Sequence, residues 1–195
     1  EKLRHENVQI QFPAEAEIPR RLETVLTTLY LLFNEGYYSE SHEAVLREDL
    51  CLEAMRLTYL LIEHGPTNLP TVNALFSLMC FHASRFKARQ NNNGEMILYQ
   101  DQDDTLWDQE LITKGAFHLR NASTGNQIST YHLEASIAYW HTIKLETKEK
   151  WENILQLYNE LLLIEYSPIT ALNRTYALAK ARGKAEAITE AEKIK

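Results

Sequence analysis

The chain has 195 residues, 45% of them hydrophobic and 24% charged, with a net charge of −7. A chain this long buries roughly 70% of its unfolded surface as one domain, so it needs no disulfide or metal staples. Six Gly and five Pro argue against collagenous, disordered and all-β readings, and 27 acidic against 20 basic residues speak against direct nucleic-acid binding.

Residues 1–19 are polar, with Pro13 and Pro19 flanking Glu15-Ala16-Glu17, and read as a linker or tail. From there Leu22, Val25, Leu26, Leu29 and Phe33 recur at helical spacing, and Asn34-Glu35-Gly36 ends the helix with Gly36 as a left-handed cap. A second helix is predicted over 43–64, with Leu46, Leu50, Ala54, Leu57 and Leu61 on its face and Gly65-Pro66 as its stop. A third is predicted over 70–88, through Val72, Leu75, Phe76, Met79, Cys80 and Ala83, with Pro70 in its first turn. Gln90-Asn91-Asn92-Asn93-Gly94 breaks the pattern. Asn93-Gly94 suits a two-residue hairpin turn, so one long loop or a short β-hairpin is expected near residues 89–104. Loops of that length usually carry function or lack order.

Helices resume over 105–121, 129–143, 147–165, 169–182 and 184–195. The expected fold is all-α: about eight helices in antiparallel pairs, in a single helical domain over 20–195. Residues 20–128 supply the N-terminal helices and the long loop. Residues 129–195 have the character of a tetratricopeptide array. There Trp140 and Pro168 are spaced like the Trp and terminal Pro of one repeat, and Gly183-Lys184-Ala185-Glu186-Ala187-Ile188 is similar to its inter-helix turn.

Cys51 and Cys80 sit in apolar helical patterns and no Cys-x-x-Cys occurs, so a reducing, cytoplasmic location is expected. Apolar runs such as Leu29-Tyr30-Leu31-Leu32-Phe33 fall far short of the roughly 20 residues of a membrane span. No signal peptide is visible and the chain lacks an initiator Met, so it reads as a fragment of something longer. No His-Glu-x-x-His, Gly-x-Ser-x-Gly or phosphate-cradling glycine loop occurs, and His132-Leu133-Glu134 is half of a deaminase zinc motif without its cysteine half. No enzymatic activity, metal or cofactor is therefore expected.

The unusual polar residues gather at helix ends and in the long loop. Glu35 stands at the negative end of a helix, where a cation such as Arg85 or Arg89 would compensate it. His82, Arg85 and Arg89 share one helix face, placed to pair with Asp101 or Asp103. Asp101, Asp103, Asp104 and Asp108 crowd together, but Leu106 and Ile112 occupy positions where a calcium-binding EF-hand loop needs Gly and Glu. Two readings stay open: an acidic helix start with Asp103 or Asp104 as N-cap, or an acidic surface that captures Arg or Lys of a partner. Trp107 is either core or a binding anchor.

An ordered set of segments resembles the C-terminal extension of one group of bacterial extracytoplasmic-function (ECF) sigma factors. The set runs through Leu29-Tyr30-Leu31-Leu32-Phe33-Asn34-Glu35-Gly36-Tyr37 and the stretch Leu46-Arg47-Glu48-Asp49-Leu50-Cys51-Leu52-Glu53-Ala54-Met55-Arg56-Leu57. It continues with Leu78-Met79, His82, Ser84-Arg85, Ala88-Arg89, Asp101-Gln102-Asp103, Trp107-Asp108, Tyr131 to His141 and Ala171-Leu172-Asn173-Arg174. Lys2-Leu3-Arg4 then looks like the end of a preceding DNA-binding region. The chain departs from the family where Asp104 replaces a typical Arg and where Ala83-Ser84-Arg85 replaces a common Asp-Ala-Arg. The resemblance implies a regulatory domain that contacts the sigma core or RNA polymerase, without binding DNA or membrane, as a monomer or weak homodimer. Its implied contact residues are Asn34, Glu35, Tyr37, Arg85, Arg89, Asp101, Gln102, Asp103 and Trp107, gathered around one groove. The alternative is a free-standing TPR-like adaptor or negative effector that binds a peptide segment of a partner protein.

Overall fold

A computed structural model describes residues 14–37, 46–91 and 95–194. Lys2-Leu3-Arg4, the first residues of the expected second helix and the Asn93-Gly94 turn lie outside the described residues. Among those described, nine α-helices pack against one another and no strand occurs. The expected all-α fold is therefore found.

Helix α1 (Ile18–Tyr37) buries Leu22, Leu26, Leu29, Phe33 and Tyr37. Val25, expected on that face, is 40% exposed. The expected cap at Gly36 is also corrected, because Gly36 lies inside the helix. A Cβ there would stand 2.7 Å from both the Arg47 carbonyl oxygen and Cys51 Sγ. Glycine thus permits the close approach of helix α2 (Glu48–Glu63), and the corner is tied by Arg47 N donating to Gly36 O at 2.9 Å. That bond holds residues 46–47 outside the helix. The buried stripe of α2 is Cys51, Ala54, Met55 and Thr58, while Leu50, Leu57 and Leu61 are only half-buried.

Helix α3 (Pro70–Ala83) is the central rod. From Val72 to Phe81 every residue is buried, as expected of a helix surrounded by others. The predicted single helix over 70–88 breaks at Ser84-Arg85, where Ser84 Oγ donates to Phe81 O at 2.7 Å. A single-turn helix α4 (Phe86–Arg89) follows. The expected ribbon reduces to one isolated antiparallel bridge, Gln90 to Met96. Two short 3-10 turns, Tyr99–Asp101 and Asp104–Leu106, carry the loop onward. Asp108 N then donates to Ser84 O at 2.8 Å, fastening the loop back to the end of α3.

Helix α5 (Gln109–Ala122) is capped by Asp108, whose carboxylate accepts from Leu111 N at 3.0 Å. The N-cap expected at Asp103 or Asp104 is corrected accordingly; Asp103 caps the preceding short turn instead. Helix α6 (Thr130–His141) starts with His132 Nδ1 accepting from Ser129 N at 3.1 Å, which leaves His132 Nε2 to donate to Ala122 O at 3.3 Å. Helices α7 (Lys148–Ile164), α8 (Pro168–Arg182) and α9 (Lys184–Ala191) complete the stack. Gly183 makes the α8–α9 corner at φ 112°, a conformation that side-chain-bearing residues rarely adopt.

One apolar core joins α1, α2 and α3, and a second joins α6, α7, α8 and α9. Between them lies a small cluster of Leu78 and Phe81 from α3 against Ala135 and Ala138 from α6.

Candidate functional site

The inner side of this stack is a groove of about 890 Å³ that takes lining from α1, α3, α6, α7, α8 and the long loop. Tyr30 and Asn34 face it from α1, Arg85 from the end of α3, and Trp151 and Tyr176 from the C-terminal helices. A second hollow of about 920 Å³ adjoins it, sharing Tyr30, Glu134, Leu161, Ser167 and Thr170. The two together form one long trough with Glu134 near its middle.

The long loop places Tyr99 at one end of the trough. The Arg85 guanidinium lies 5.6 Å from the centre of the Tyr99 ring, and the Lys144 and Lys150 ammonium groups lie 5.7 and 5.5 Å from it. The Trp107 ring stacks on it with centroids 6.2 Å apart, and His141 meets it edge-on at 5.0 Å. Lys150 is only 1% exposed. Its ammonium donates to Ile143 O at 2.6 Å, Glu146 Oε1 at 2.8 Å and the Tyr99 hydroxyl at 3.2 Å. Glu146 also accepts from Trp151 Nε1 at 2.9 Å. Burial pushes the Glu146 carboxyl up, but the bonds from Lys150 and Trp151 outweigh it and hold the group below its ordinary range. A buried lysine with three oxygens is thus the clasp that fixes the loop against the α6–α7 corner.

Of the residues singled out from the sequence, Asn34 and Arg85 line the groove. Tyr37 is buried beneath Arg89, whose guanidinium sits 3.8 Å from the Tyr37 ring centre, and Arg85 Nη2 donates to the Tyr37 hydroxyl at 3.3 Å. Gln102 is buried, with Nε2 donating to Ile97 O at 3.3 Å and its backbone carbonyl accepting from Lys144 Nζ at 2.8 Å. Trp107 is 4% exposed and packs as core, outside the groove lining. Glu35, Asp101 and Asp103 are exposed and line neither hollow. The ion pairs expected of Arg85 or Arg89 with Glu35, Asp101 or Asp103 do not form. The guanidinium groups turn instead to Tyr37, and Asp103 turns to the Thr105 N–H and hydroxyl at 2.9 and 2.7 Å.

Sequence reasoning missed Tyr99, Lys150, Glu146 and Glu134. The i, i+4 spacing of Glu146 and Lys150 was the available signal for the clasp. Nothing local marks Tyr99, whose partners are spread over three separate segments. Burial pushes the Glu134 carboxyl up to about 7, with the Glu165 charge adding to the effect and the Tyr30 hydroxyl, donating at 3.3 Å, opposing it. Burial also keeps His82 and His141 neutral, reinforced by the Arg85 charge, and takes His141 down to about 3. Chemically, the trough offers one permanent cation among its described lining residues, neutral imidazoles, a carboxyl poised near neutrality, and aromatic walls. That set suits recognition of an extended chain. Among the described residues no group of three His, Cys, Asp or Glu could hold a metal ion, and no helix is long and apolar enough to cross a membrane.

No solved structure matches the chain. It is 33% identical over 189 residues, or 96% of its length, to an uncharacterized protein of Rhizobium meliloti (strain 1021). It spans only 44% of that relative. Residues 21–123, from early in α1 to just past the end of α5, match a family of unknown function, DUF6596. More than half of the chain lies in that match, so the chain belongs to the DUF6596 family.

Proposed function

We propose that this chain is the regulatory domain of an ECF-type sigma factor, tuning transcription initiation by protein–protein contact with the sigma core or RNA polymerase. The observation that carries the reading is the trough: its lining brings Asn34 and Arg85, from two of the segments that resemble the sigma-factor extension, to one surface. Membership of DUF6596 is consistent with a sigma-factor-associated region. The R. meliloti relative has more than half its length outside the match, which leaves room for sigma regions beside a domain of this kind. The net charge of −7 fits a domain that meets protein rather than DNA. On this reading the domain works in the cytoplasm, without catalysis or cofactor, and its contacts with the sigma core are intramolecular in the parent protein.

The test is calorimetric titration of the chain into separately produced sigma regions of the parent gene. Saturable binding, weakened by Asn34→Ala or Tyr176→Ala, is expected. No binding at the roughly millimolar concentration a tether supplies would overturn the sigma-core contact and redirect the search to RNA polymerase. The second reading, a free-standing adaptor for a peptide of another protein, rests on the same trough. A parent gene encoding no sigma regions would favour it.

A further inference from the structure

Arg85 is 7% exposed and lines the groove. Its guanidinium reaches the Tyr37 hydroxyl at 3.3 Å and His82 Nδ1 at 3.5 Å, both neutral groups. Its Nε is buried without a hydrogen-bond partner, and among the described residues no carboxylate lies within ion-pair distance of it. A buried guanidinium is normally answered by an anion, because its fork of donors is strongly disfavoured without one. The walls beside it are apolar and aromatic: Leu78, Ile137, Trp151, Tyr158 and Tyr176.

We infer that the groove binds an extended apolar segment of a partner protein through one acidic side chain of that segment, whose carboxylate pairs with Arg85. The trough favours this occupant by charge. At its far half Glu23 and Glu165 line the wall with no cation among the described lining residues, so an acid is repelled there and directed to the Arg85 end. Hollows of about 890 and 920 Å³ suit several residues of chain, with the carboxylate as the one polar anchor among apolar contacts. The inference rests on the trough as the docking surface of the proposed regulatory role and adds the chemistry of what it takes.

The test is selection of random 12-residue peptides, displayed without a free C-terminus so that only side-chain carboxylates are offered, on the intact chain. Selected peptides are expected to share an Asp or Glu between apolar neighbours. Replacing that acid by its amide weakens binding about tenfold or more, and Arg85→Gln abolishes the preference. In the wild-type chain, the Nε–Hε resonance of Arg85 shifts when the selected peptide is added. That measurement decides the matter even if Arg85→Gln fails to fold. Failure to select any peptide, selection of peptides lacking a common acid, or an unmoved Arg85 resonance would overturn the inference. Sigma regions that bind with no acid preference sink this inference and leave the regulatory role standing. Acid-selective peptide binding without sigma binding does the reverse.

Discussion

Lys150 shows what burial asks of a charge. Its three oxygen partners come from α7's own approach, the preceding loop and the distant Tyr99, so losing the amine would leave a backbone carbonyl and a phenol without their donor. Lys150→Met is expected to lower unfolding free energy in urea by about 2–4 kcal/mol, with the lower end favoured because Glu146 can turn to water. Glu134 carries the opposite burden. Its folded-state carboxyl titrates near 7 rather than 4.5, so it costs stability above about pH 7, and the cost fades as pH falls toward 4.5. Glu134→Gln is therefore expected to raise Tm by a few degrees at pH 8 and much less at pH 5. The polar residues prominent in the sequence divided along the same physical line. Arg85 and Arg89 were legible as unusual, but their carboxylate partners were inferred from charge alone. Of those carboxylates Asp103 is satisfied locally, by the Thr105 N–H and hydroxyl.

At the scale of elements, periodicity located every long helix, because each presents an apolar stripe to a neighbour. It failed where a stripe ends and a backbone contact begins. The stripe of α2 is rotated to Cys51, Ala54, Met55 and Thr58 because the corner at Gly36 sets how α2 meets α1. Helix α3 stops early because Ser84 bonds back to Phe81 and its own carbonyl is claimed by Asp108 N. Neither event leaves a periodic trace in sequence. The α3–α5 contact depends on a missing side chain. A Cβ at Gly115 would stand 2.7 Å from the Phe81 ring, and the Gly115 carbonyl accepts from Ser77 Oγ at 2.8 Å. Gly115→Ala should therefore push the helices apart and cost about 1–3 kcal/mol in chemical denaturation, despite the better helix propensity of alanine.

At the scale of the whole molecule, burial keeps a set of imidazoles neutral. Four of its seven histidines, His82, His118, His132 and His141, are held below their ordinary titration range by burial. As pH falls through 6.5, the unfolded chain takes up protons that these folded-state imidazoles refuse, so stability declines progressively toward the folded-state values. Glu134 works in the other direction, but one carboxyl stands against four rings. Tm is expected to fall between pH 7 and pH 5, and His141→Phe, which keeps the packing against Tyr99 and Trp151, should make that slope shallower in calorimetric scans. None of this was legible in sequence, where seven histidines are simply a count and only assembly decides which are dry.

The small cluster of Leu78, Phe81, Ala135 and Ala138 bears on how such a chain can be cut and rejoined. The DUF6596 match ends at residue 123, yet Leu78 and Phe81, both inside it, are covered by α6, which lies beyond it. The recurring unit of sequence and the self-sufficient unit of folding therefore have different edges. A protein truncated at residue 123 should bind a hydrophobic dye and melt without a sharp transition, whereas one carried on through α7 should keep its cooperativity. Grafting the matched segment alone onto another protein would transplant a surface that still needs its original neighbour.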